Sequence, residues 1–135
     1  MSHPEPTLRE MAMAAQRRAY APYSDFCVGA AVEMEQGARF AGANVENAAF
    51  PQSICAERSA IVAAVSAGYR RLARLYIYTE AGAAPCGGCR SVMAEFGTAQ
   101  TTVTLGNAAG DEVTLRLGDL IPHAFEMGAP VPFKD

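Results

Sequence analysis

Along the N-terminal third of the chain the apolar positions change from a helical to an alternating period. Thr7 and Glu10 form a T-x-x-E capping box, and Leu8, Met11, Ala12, Ala15 and Ala19 follow at helical spacing. Arg9, Glu10, Gln16, Arg17 and Arg18 fall mostly off that stripe, which predicts an amphipathic helix closed by Pro22. Phe26, Val28, Ala30, Val32 and Met34 then share one face of a strand. Gln36-Gly37 turns the chain into a second strand over about residues 38–43, so the two strands form a hairpin.

The loop 44–54 leads into a helix predicted over 55–67. Its sequence, CAERSAIVAAVSA, is apolar almost all round and predicts a largely buried element. Residues 72–79 read as a strand, 86–96 as a helix and 101–105 as another strand, a βαβ unit whose strands are parallel. Little more than Gly106 to Gly110 separates that last strand from the next, at 112–115. A parallel crossover needs a dozen or more residues, so the final pair is antiparallel.

The 135 residues fit one domain spanning 1–135, with a core over about 7–125. Half the residues are hydrophobic and 19% charged, an ordinary globular composition. The net charge of -3 argues against a nucleic-acid partner, which needs clustered Lys and Arg. The longest apolar run, 60–65, is far too short for a membrane span, so no membrane partner is expected. Glu5, Glu10 and two early prolines interrupt the stretch where a secretory signal needs an apolar core, and a cytoplasmic protein is expected. Four cysteines in that compartment are metal ligands or buried thiols rather than disulfides.

The chemistry is concentrated in two segments, Cys55-Ala56-Glu57 and Pro85-Cys86-Gly87-Gly88-Cys89. The C-x-x-C pair opens one helix and Cys55 opens another. Three thiolates leave the fourth position of a zinc tetrahedron open for water, the arrangement of a catalytic site. Both helix N-termini direct partial positive charge at the sulfurs and favour the thiolates. Glu57 lies two residues past its cysteine, near the metal but not needed as a ligand, where a proton shuttle belongs. C-x-E followed by P-C-x-x-C, with Glu as general acid and base, is the zinc deaminase signature. Taken alone, the C-x-x-C would equally suit a closed zinc knuckle or a redox pair.

Further segments extend the match. Ala19-Tyr20-Ala21-Pro22-Tyr23-Ser24, Phe26, Val28-Gly29-Ala30-Ala31, Asn44-Val45-Glu46-Asn47, Cys55-Ala56-Glu57-Arg58, Pro85-Cys86-Gly87-Gly88-Cys89-Arg90 and Leu120-Ile121-Pro122-His123-Ala124-Phe125 together resemble the small, homotetrameric cytidine deaminases of the three-cysteine zinc type. The resemblance implies an α/β fold, a three-layer α/β/α sandwich with a mixed five-stranded sheet. It also implies one Zn2+ per chain and hydrolysis of cytidine and 2′-deoxycytidine to uridine and 2′-deoxyuridine with release of ammonia, a step of pyrimidine salvage. On this resemblance Asn44 and Glu46 bind the ribose and the Ala56 N–H holds the pyrimidine O2. The Ala84 carbonyl faces the amino group and Phe26 packs on the base. Phe125 reaches a neighbouring subunit's site, with the Phe50 loop also at an interface. Phe50 and Ser91 depart from the family pattern, which usually has Tyr and Gln there.

Plainer readings stand beside these. Phe26 lies on an apolar strand face and suits a core, Asn44 and Asn47 suit a loop, and Phe125 could cap its own core. A lone acid in the apolar 45–50 loop, Glu46, needs a partner. Arg58 is either a charge on a helix turn or a donor to thiolate sulfur, offsetting the net -1 of zinc with three thiolates. Cys27, on the strand face opposite Phe26 and Val28, reads as a small buried hydrophobe, and His3 and His123 are too isolated to ligate. A polynucleotide editor on the same zinc site is disfavoured by the short connection after Leu105 and by the acidic balance. A blasticidin-type deaminase is not expected to carry Asn44-Val45-Glu46-Asn47, and a nucleotide deaminase needs a basic phosphate site. A non-catalytic zinc module would require a fourth protein ligand, usually Cys or His rather than Glu57.

Overall fold

The computed structural model describes residues 5–127. His3 lies outside them. Helix α1 (Leu8–Gln16) opens with the expected capping box. The Glu10 amide donates to the Thr7 hydroxyl at 3.1 Å, and the Thr7 amide to the Glu10 carboxylate at 2.8 Å. The helix ends six residues before Pro22, earlier than its apolar stripe suggests. Tyr20 is drawn instead into a parallel bridge with Val45, its amide donating to the Asn44 carbonyl at 2.9 Å.

Strands β1 (Gly29–Met34) and β2 (Arg39–Ala43) form the predicted antiparallel hairpin. Gly37 supplies the turn at φ +95, a conformation that costs a side-chain-bearing residue strain. The strand begins three residues later than its alternation predicts. The Asn44 side chain takes over the ladder there, accepting from Val28 N–H at 2.8 Å and donating to the Phe26 carbonyl at 2.7 Å.

Helix α2 (Ala56–Ser66) is followed by β3 (Leu72–Tyr78), α3 (Gly87–Phe96), β4 (Thr102–Gly106), β5 (Glu112–Arg116) and the single turn α4 (Leu117–Leu120), which the hydrophobic pattern does not announce. The five strands make one mixed sheet in the order β2-β1-β3-β4-β5. As the connection lengths require, β3 and β4 are parallel and β4 and β5 antiparallel.

Helix α1 covers one face of β1, β2 and β3, while α2 and α3 lie on the other, giving three α/β/α layers. Val28, Ala30, Val32 and Met34 meet Ile61, Ala64 and Met93 on the α2 side. Ala31 points the opposite way, to Leu8, Ala12, Tyr76 and Tyr78. Arg9 closes that second layer, lying 5.3 Å over the Tyr78 ring and donating to the Tyr76 hydroxyl at 2.8 Å.

Two burial expectations are corrected. Helix α2 is not buried all round: Ala56, Ala60, Ile61 and Ala64 face the sheet, but no described residue covers its outer face and Val62 is 53% exposed. Cys27 is half-buried, because the chain at that point has left the ladder.

Candidate active site

Two helix N-termini bring the cysteines together. Cys55 is the N-cap of α2 and Cys86 the N-cap of α3, both with extended backbone and neither making a side-chain capping bond. The sulfurs are therefore free of the duty a Ser or Asp would perform at these positions. Cys89 sits in the first turn of α3, fully buried. The three Sγ atoms lie within 4.8 Å of one another, Cys55 and Cys86 at 4.0 Å. A tetrahedral zinc with Zn–S bonds of about 2.3 Å holds its sulfurs roughly 3.8 Å apart. The donor set fits one Zn2+. Cys27 is no part of it.

Arg58 stands beside the sulfurs. Its Nη2 is 3.9 Å from Cys55 Sγ, and its buried Nε has no protein partner among the described residues. A guanidinium left partly unpaired beside sulfurs suits thiolates rather than thiols. Hydrogen bonding from Cys89, with help from Cys86 and Arg58, draws the Cys55 thiol down to about 6. The same bond, with burial and the nearby Glu57 charge, pushes Cys89 up.

Glu57 is 5% exposed, and burial, reinforced by Cys55, raises its carboxyl above the usual range. A carboxyl that holds protons more readily than usual is suited to receiving and returning one.

A cavity of about 420 Å³ opens beside the sulfurs. Phe26, Asn44, Glu46, Ala56, Glu57 and Ala84 all line it, together with Cys55 and Cys86. Phe26 is half-exposed and forms cavity wall rather than core. Its other contributors include Ser24, Phe50, Ile54 and Thr79; for Ser24, Ile54 and Thr79 the sequence assigned no pocket role. Only Ser24 left a signal, as the partner that Glu46 had to have. Phe125 is 82% exposed and is not among the cavity's lining residues, so it does not cap its own core.

The polar wall is largely built before any ligand arrives. Glu46 Oε1 accepts the amides of Tyr23 and Ser24 at 3.0 and 3.1 Å, and Oε2 accepts the Ser24 hydroxyl. That hydroxyl, opposed by burial, holds the Glu46 carboxyl below its ordinary value. A carboxylate offers about four lone pairs, so roughly one remains. Asn44, with one bond at each end of its amide, keeps one N–H and one lone pair. The loop that bears both residues is closed at its base by the Val45–Ile54 bridge, with amide–carbonyl bonds of 2.9 Å in both directions.

Comparison with known proteins agrees with this geometry. Residues 3–105 match the family described as the cytidine and deoxycytidylate deaminase zinc-binding region. A curated cytidine deaminase of Halalkalibacterium halodurans is 44% identical over 116 residues, 84% of this chain and 88% of that protein. The crystal structure of cytidine deaminase from Burkholderia pseudomallei superposes with a TM-score of 0.84 at 47% identity, covering 87% of this chain and 96% of that one. That of Mycobacterium tuberculosis gives 0.76 at 36% identity over 88% and 94%. With its three cysteines converging at two helix N-termini, a buried carboxyl beside them and a match over most of its length, this chain belongs to the zinc-dependent cytidine deaminase family.

Proposed function

We propose that this chain deaminates free cytidine and 2′-deoxycytidine hydrolytically, yielding uridine and 2′-deoxyuridine with ammonia, as a cytoplasmic enzyme of pyrimidine salvage. The observation that carries the reading is Glu57: a buried carboxyl with a raised pKa, beside three converging thiols, on the wall of an apolar cavity with a polar side. The zinc held by Cys55, Cys86 and Cys89 supplies Lewis-acid activation of water. Glu57 accepts the proton of the water that attacks C4 and passes it to N3. It then carries a proton to the departing ammonia. The Ala56 N–H holds O2, the Ala84 carbonyl accepts from the 4-amino group, and Phe26 packs on the ring. Arg58 balances the thiolate charge. Asn44 and Glu46, through the capacity their internal bonds leave free, take the sugar hydroxyls.

The choice of nucleoside over nucleotide rests on the lining. Its charged side chains are two carboxylates, Glu46 and Glu57, with no Lys, Arg or His among the described lining residues. A 5′-phosphate would enter with its charge opposed rather than paired.

The catalytic unit is one domain with its core over about 7–125, and it works as a homotetramer. Tyr20, Tyr23, Phe26, Phe50 and Ile54 surround the loops at the cavity and are each more than 40% exposed, and Val62 leaves an apolar patch on α2. Exposed aromatic surface of this kind marks an interface. The outward-standing Phe125 supports a pocket completed by a neighbour.

Ammonia release is measured for cytidine, deoxycytidine, their 5′-monophosphates, free cytosine and single-stranded oligomers. Turnover of the two nucleosides alone is expected. Turnover of the monophosphates at equal efficiency overturns the nucleoside assignment.

A further inference from the structure

The segment between β3 and α3 contributes Thr79, Ala83 and Ala84 to the cavity lining. No backbone hydrogen bond between described residues holds Ala83 or Ala84. This stretch of wall is suspended from its two ends. Upstream, the hydroxyl of Thr79, 1% exposed, accepts the Gly82 N–H at 2.7 Å. Downstream, Arg90 Nε donates to the Pro85 carbonyl at 2.9 Å while its Nη1 holds the Leu120 carbonyl at 2.8 Å. The outer shoulder is tied to the β4–β5 turn by the Ala108 N–H on the Glu80 carbonyl at 3.0 Å.

Gly82 stands at φ +87, so the turn uses a conformation that other residues enter only with strain. The Thr79 hydroxyl is the one side-chain group among the described residues that bonds the 80–84 backbone. We propose that Thr79 is a positioning residue: by closing the turn at Gly82 it fixes the Ala83–Ala84 wall and sets how sharply the site separates a pyrimidine bearing an amino group at C4 from one bearing a carbonyl. The inference rests on the deaminase reading, in which the Ala84 carbonyl is the acceptor for that amino group.

The physical reason is a contrast of dipoles. A carbonyl held firmly beside C4 gains a hydrogen bond from the amino hydrogens of the substrate. It faces the oxygen of the product, with which it makes none and which it repels. A wall free to recede loses the first interaction and relieves the second. Thr79 therefore acts on the difference between substrate and product, not on affinity in general.

The test uses the zinc-loaded protein. Thr79→Val keeps the β-branched shape and removes the acceptor of Gly82 N–H. The KM for cytidine is expected to rise about tenfold, the scale of one hydrogen bond, while Ki for uridine as product inhibitor moves less than about twofold. Thr79→Ser, which retains the hydroxyl, restores the parental ratio of the two constants. Gly82→Ala strains the same turn from an exposed position, with ordinary contact to Asn107 as its new neighbour, and is expected to change the ratio in the same direction. It serves where Thr79→Val fails to fold or to hold zinc. An unchanged ratio in the folded variants overturns the proposal, as does a parallel rise of KM and Ki, which is general loosening. A parent that does not turn over cytidine overturns the deaminase reading instead.

Discussion

Gly42 on β2 packs directly against the backbone of α2, and it offers a way to displace the site without touching it. A Cβ at this position would stand 2.5 Å from the Ala60 amide nitrogen and 2.7 Å from Ser59 Cβ. The nearest of these is backbone of the first turns of α2, so no rotamer change relieves the clash. Ordinary contact begins near 3.4 Å, and α2 must therefore recede by about 0.9 Å. Helix α2 carries Cys55 at its N-cap and Glu57 in its first turn, whereas Cys86 and Cys89 ride on α3. The recession thus falls on one side of the metal set and leaves the other in place. Overpacking of this kind costs about 1–3 kcal/mol of stability. A misplacement near 1 Å at reacting groups costs roughly 100-fold in rate. Gly42→Ala is expected to lose kcat/KM on about that scale and to bind zinc more weakly. Gly110→Ala, in the β4–β5 turn at φ +96 with open space around it, costs about 1–2 kcal/mol of strain and should leave both unchanged. The assays are metal content by atomic absorption, initial rates on cytidine and thermal melts of the three proteins. A Gly42→Ala protein with parental kcat/KM and zinc would refute the argument that this contact sets the site.

Replacing Cys55, Cys86 or Cys89 by Ser is expected to abolish stoichiometric zinc, whereas Cys27→Ser keeps one per chain; full occupancy in a Cys86→Ser protein contradicts the ligand set. Glu57→Gln should fold and hold zinc yet lose at least about 100-fold in turnover, and activity within threefold of the parent removes Glu57 as shuttle. Arg74 and, behind it, Arg39 hold the Glu33 carboxyl below its ordinary value of 4.5, through bonds of 2.9–3.0 Å. A depressed folded pKa stabilises above the unfolded value and loses that contribution as pH falls through the folded one. The melting-temperature advantage of the parent over Glu33→Gln should therefore shrink between pH 5 and strongly acid pH, and an advantage that grows on acidification contradicts the assignment. Phe125→Ala should weaken cytidine binding without loss of zinc, and subunit exchange with Glu57→Gln chains should recover activity; an active monomer in sedimentation ends the shared-pocket reading.

What the sequence determined by itself was local or covalent. The capping box at Thr7, the hairpin turn at Gly37, the parallel and antiparallel pairings dictated by connection length, and the cysteine and glutamate spacing at two helix starts all follow from rules that operate within a few residues. The zinc chemistry was legible for the same reason, since C-x-E and P-C-x-x-C each place ligands relative to one helix terminus. The tertiary structure decided what depends on partners distant in the chain. Asn44 delayed the start of β1 because its amide satisfies Phe26 and Val28, and Tyr20 ended α1 early because its backbone pairs with residues 44–46. Glu46 found its partners at Tyr23 and Ser24, more than twenty residues earlier in the chain, and Thr79 became a cavity residue only when β3 delivered its C-terminal end to the cavity that Glu57 also lines. The exposed face of α2 had the same origin: composition states how apolar a helix is, while which side is covered depends on where the sheet lies. Periodicity assigns faces, but the groups that terminate an element or complete a site are set by contacts that sequence separation does not encode.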